Sequence, residues 1–116
     1  MKRIGKIDLH GMDVFVHWLR RRPAWAPRDC ENGCTDPTRT PWRIWVSTVG
    51  SEASQRDSLM HEITHALDVS SDADLEGLRG SGYEAEENRV HRLTGALLDF
   101  LERNPEVVKE LSRKGA

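Results

Sequence analysis

The residues best suited to chemistry lie in one short run, His61-Glu62-Ile63-Thr64-His65. Residues four apart on a helix sit one turn apart on the same face. His61 and His65 can therefore present both imidazoles to one divalent cation at about 2.0–2.1 Å. Glu62 is turned about 100° from His61. It misses the cation but can touch a water held there, which suits it to general-base work. It would take a proton as the water attacks a carbonyl, then pass it to the leaving amine. The cation such a donor set suits is zinc, one per chain, which lowers the pKa of a bound water to about 7 and polarises a carbonyl. The implied chemistry is hydrolysis of an amide.

The elements around this run must position it. Serine between Ser51 and Ser54 can cap the first free amides of a helix that runs to about Val69. On that helix Leu59, Met60, Ile63, Ala66 and Leu67 share one apolar face, and His61, His65 and Asp68 line the opposite stripe. The strongest strand spans residues 42–49, rich in β-branched and aromatic residues, and Gly50 closes it. Upstream, Ile7 and Leu9 alternate with polar neighbours. Gly11 and Asp13 mark a break before residues 14–18, which predicts a hairpin. Residues 23–41 hold four prolines and read as a long surface loop without regular structure. Residues 70–82 are polar with three glycines, a flexible connection or lid. A second helix is expected over 83–102, with Val90, Leu93, Leu97 and Leu101 in one sector. Asn104-Pro105 then reads as a cap and first position of a short third helix, 106–112. The expected fold is α+β, a single domain over 1–116. A small antiparallel sheet of about three strands packs on the motif helix, and a second helix brings a third ligand across.

The run 57–67, Asp-Ser-Leu-Met-His-Glu-Ile-Thr-His-Ala-Leu, following an Ile-Trp-Val strand, resembles the HExxH zincin clan of metallopeptidases. In length it is similar to the minigluzincins and to small HExxH proteins common in phage and bacterial genomes. The run 86–93 and the Asn104-Pro105-Glu106 turn also resemble the latter group, and the likeness covers roughly residues 42–110. It implies a zinc-dependent peptidase in which Glu62 is the general base. It also implies a third ligand that is a glutamate on the second helix. Gluzincin glutamate helices carry a polar residue four after the ligand and a core residue six after it. Glu87 meets this with His91 and Leu93, and Glu84 with Asn88 and Val90. Glu86 does not, because Val90 and Arg92 fall there. Glu87 lies about 80° from Leu97, at the centre of the apolar sector, and Glu84 about 140° away. Glu87 is therefore favoured, with Glu84 as the alternative. Acidic residues opening a helix also complement its dipole without any metal. The resemblance further implies that strand 42–49 lies beside the cleft with a free edge for extended peptide.

Other side chains have two readings each. Asp68 can orient a ligand imidazole or sit as a solvated helix-end charge. His91 can stabilise an oxyanion or be a surface histidine, and Tyr83, the one tyrosine, offers a hydroxyl or packs. His10 and His17 read as structural, and the four tryptophans as core and loop anchors. Cys30 and Cys34 read as reduced thiols in a loop, as half of a second metal site, or as a local disulfide. The net charge of −2 argues against a dedicated nucleic-acid binder, although the arginines near 20–22 and 39–43 keep a basic patch open. The mean hydropathy of −0.63 and the charged N-terminal residues predict neither membrane span nor secretory signal, hence a cytoplasmic location. The expected partner is a peptide or protein substrate. Substrate preference and oligomeric state are not legible, and latency is open. The competing class is a non-catalytic zinc-binding structural or assembly protein that retains the site.

Overall fold

A computed structural model describes residues 1–71 and 82–113, with the side chain of Tyr83 outside that set. In chain order the elements are β1 (Lys6–Leu9), β2 (Met12–Leu19), β3 (Gly33–Asp36), β4 (Arg43–Ser47), α1 (Glu52–Ser70), α2 (Gly82–Arg103) and α3 (Pro105–Leu111). The α+β class holds. Of the expected 70–82 connection, residues 72–81 lie outside the described residues. Among the described residues no helix is long and apolar enough to cross a membrane.

The hairpin forms as its turn chemistry dictates. Leu9 pairs with Met12, leaving His10 and Gly11 as a two-residue turn. Both have positive φ, 53° and 88°, the type I′ geometry whose twist matches the strands. His10 Nδ1 lies 2.9 Å from Asp99 Oδ2, which ties the turn to α2. Val14 and Val16 of β2 face the core while Phe15 and His17 face out.

The sheet departs from the expected three antiparallel strands. Among the described residues it has four strands in the order β1-β2-β4-β3, and β2 and β4 run parallel. The long segment between Leu19 and Arg43 is what lets the chain return in the same direction, since a parallel pair needs a crossover of a dozen residues or more. β3 arises inside the proline-rich stretch that was expected to stay irregular. β4 is buried on both faces, so the backbone groups along its second edge need partners. Gly33–Asp36 supplies them, pairing antiparallel with Arg43–Val46 despite poor intrinsic strand propensity. The strand expected to offer a free edge is therefore interior, and β3 forms the edge on its side of the sheet.

Ile44 and Val46 point into the main core beneath α1, with Leu59, Ile63, Ala66 and Leu67. Trp45 points the other way, into a second cluster with Ala26 and Cys34 that Trp25 and Cys30 cover. Trp45 also donates its Nε1–H to the Leu19 carbonyl at 3.0 Å. Asp36 ends β3 and accepts hydrogen bonds from the Thr38 hydroxyl and, at 2.8 Å, from Arg43 Nε. The Arg43 guanidinium in turn lies 4.2 Å from the Trp25 ring centre. The Thr38 hydroxyl and then Arg43 hold the Asp36 carboxyl below its ordinary value. The unfolded chain therefore takes up this proton at higher pH than the folded one. The stabilisation is complete above the ordinary aspartate value and is lost as pH falls through the lower, folded value. Urea midpoints measured from about pH 5 downward are expected to fall less steeply for Asp36→Asn than for the natural chain.

α1 begins where expected: Ser51 caps it by accepting from the Ser54 amide at 3.1 Å. Buried Gln55 donates to the Thr48 and Gly50 carbonyls and fixes the strand-to-helix turn, where Gly50 has φ of 100°. Met60 is half-exposed rather than core, because the buried sector is shifted toward Gln55 and Glu62. α2 shows a larger shift. Its buried residues are Ala96 and Phe100, with Leu93 packed beside them, while Val90, Leu97 and Leu101 are exposed. Buried Asn104 joins α2 to β1, its side chain accepting from the Asp8 amide and donating to the Asp8 and Phe100 carbonyls.

Candidate metal centre and its edge strand

α1 lies across β3 and β4 with its apolar side down, which raises His61 and His65 to the exposed side and turns Glu62 inward. The two Nε2 atoms converge to 3.1 Å, with rings edge-on at 82°. Two nitrogens held at about 2.0–2.1 Å around a tetrahedral cation would stand about 3.3 Å apart, so the observed pair fits the first half of a zinc centre. Among the described residues no third His, Cys, Asp or Glu joins the pair closely enough to complete a three-ligand centre.

Glu62 is 6% exposed. The Thr35 hydroxyl sits 2.8 Å from Glu62 Oε1 and 2.9 Å from the Glu62 carbonyl, fixing both the helix and the carboxylate on β3. Gly33 faces the same carboxylate. A Cβ there would come within 3.0 Å of Glu62 Oε2 and 2.9 Å of the Trp45 carbonyl. Thr35 and Gly33 carry no spacing signal of their own, and only the edge strand reveals their part. One cavity of about 570 Å³ is lined by His61, Glu62 and His65, by residues 29–35 and by Asp57. Its carboxylates Asp29, Glu31, Asp57 and Glu62 give it a negative wall, which favours cations.

Cys30 and Cys34 also border this cavity. Both are free thiols. Burial, a hydrogen bond with Cys30 and the nearby charges of Glu62 and Asp36 push the Cys34 thiol up to about 12.

The remaining predicted residues fall elsewhere. Asp68 Oδ2 is 2.7 Å from Arg89 Nη2, so this carboxylate ties α1 to α2. His91 is exposed, about 180° around α2 from Phe100. Glu84, Glu86 and Glu87 stand exposed on the first turns of α2. With the helix centred on Phe100, Glu87 lies about 140° and Glu84 about 160° from the buried face, and Glu86 about 40° from it. No protein-family model matches the chain, no curated protein matches it in sequence, and no solved structure matches its fold.

Proposed function

We propose that the chain is a zinc-dependent metallopeptidase of the HExxH type. His61 and His65 are the metal ligands, Glu62 is the general base and a glutamate of α2 is the third ligand. The observation that carries this reading is the convergence of the two imidazole nitrogens to 3.1 Å beside a carboxylate held in place by the next strand. When bound, zinc supplies carbonyl polarisation and a water of lowered pKa. The chain's own residues do the rest. Thr35 occupies Glu62 Oε1, so Oε2 is the oxygen that accepts the proton and later releases it to the departing amine. β3, the edge strand lining the cavity, suits an extended peptide added alongside it. The negative wall favours basic residues in that peptide.

For the third ligand, the resemblance points to Glu87, with Glu84 second. The observed buried face of α2 adds Glu86, the glutamate nearest the side packed on the core. Metal analysis of the purified full chain tests the whole set. The natural chain is expected to carry about one zinc, lost in His61→Ala and in His65→Ala, and lost in one of Glu84→Ala, Glu86→Ala and Glu87→Ala. Zinc retained in both histidine variants would overturn the reading.

A further inference from the structure

We propose that Cys30 and Cys34 are a site of reversible oxidation: exchange with a small disulfide closes a Cys30–Cys34 bridge, and β3 passes the change to Glu62.

Three observations place the pair for this. The two thiols belong to one cluster, packed on Ala26 and Trp45, and only Glu31, Asn32 and the first residue of β3, Gly33, separate them. They differ in access, since Cys30 is partly exposed and Cys34 is buried. And Cys34 stands in β3 between the two residues that face Glu62. In the strand register Cys34 lies opposite Trp45, while Gly33 and Thr35 lie opposite Val46 and Ile44. Neighbouring strand residues point to opposite faces. One face of β3 thus carries the thiol and the other holds the carboxylate through Thr35 and Gly33. Drawing Cys34 toward Cys30 shifts a four-residue edge strand that, among the described residues, has a strand partner on one side alone.

The chemistry balances with a low-molecular-weight disulfide such as glutathione disulfide as oxidant. The accessible Cys30 sulfur attacks it, forming a mixed disulfide and releasing one thiolate. Cys34 sulfur then attacks the Cys30 sulfur, its proton leaving on the second departing thiol. Two protein thiols are oxidised and one small disulfide is reduced to two thiols. Because burial keeps Cys34 protonated, the second step is the slower one. The relay to hydrolysis rests on Glu62 being the base, whereas the bridge itself does not.

The full zinc-loaded chain is equilibrated with glutathione and glutathione disulfide at increasing oxidant ratio. Free thiols are counted by alkylation and mass, and indole emission and zinc content are followed alongside. The expected end state has both thiols lost, no retained adduct, quenched indole emission and unchanged zinc, all reversed by dithiothreitol, with peptide hydrolysis down at least tenfold. Cys34→Ser is expected to stop at a stable adduct on Cys30. Cys30→Ser is expected to form no adduct and to keep its hydrolysis whatever the oxidant. A natural chain that holds the adduct on Cys30 with Cys34 free, or that keeps both thiols under oxidant, overturns the proposal. So does loss of zinc from Cys30→Ser, which would make the sulfur a ligand. If the chain carries no zinc or cleaves no peptide, thiol count and emission still decide the bridge, so the two readings fail separately.

Discussion

Glu62→Gln is expected to lower peptide hydrolysis by about 10²–10⁴-fold while bound zinc stays at about one per chain. The substitution keeps the shape of the side chain and leaves an oxygen for the Thr35 hydroxyl, 2.8 Å away in the natural chain. What it removes is the second oxygen's ability to take a proton. The helix, both imidazoles and the other residues lining the cavity are left in place, and on the proposed reading Glu62 is not a ligand. A digest of a peptide mixture rich in Lys and Arg, run beside metal analysis of the same sample, reads both quantities. Hydrolysis unchanged in the variant would remove Glu62 from the role of base. Hydrolysis and zinc lost together would make it a support for the metal instead.

The second large effect is expected at Gly33. A valine there places its Cβ 2.9 Å from the Trp45 carbonyl, a backbone atom that β3–β4 pairing holds in place, and within 3.1 Å of Glu62 Oε2 and Cγ. Neither wall yields cheaply. The carbonyl belongs to the strand buried on both faces, and the carboxylate is pinned by Thr35. Overpacking of this kind costs up to about 3 kcal/mol. Gly33→Val should therefore lower the urea midpoint and, in the fraction still folded, cut hydrolysis by at least about tenfold as Glu62 is displaced, an effect of about 1.4 kcal/mol on the barrier. Natural stability together with natural activity in this variant would mean that β3 does not brace the carboxylate.

Local signals were sufficient where neighbours in sequence decide the structure. Ser51 before a run with helical spacing, His10-Gly11 between alternating segments, and Asn104-Pro105 each act within four residues, and each element appears where they place it. The His61–His65 pairing is legible for the same reason, being a property of one helix turn. Legibility ends where a distant element decides. β3 has glycine and aspartate at its ends and forms only because β4 offers an edge. α2 presents more leucine on its exposed side than on its buried one. Its true face depends on Phe100 and Ala96 fitting beside α1 and β1, and the count of apolar residues misleads there. The angular part of the third-ligand reading moves with that face, because measured from Phe100 it is Glu86 that lies nearest the buried side. The cysteine pair is visible as a spacing, yet only the fold brings it to the border of the cavity that the histidines line, with Cys34 on the face of β3 opposite Glu62.

Every proposed role depends on one divalent ion shared by His61 and His65. Anomalous diffraction from crystals of the zinc-loaded chain, collected on both sides of the zinc absorption edge, tests it most directly. A single strong peak is expected about 2.0–2.1 Å from both Nε2 atoms, with one α2 carboxylate on the same peak and Glu62 off it. A peak seated elsewhere, or imidazoles paired only with each other in zinc-saturated crystals, would contradict it.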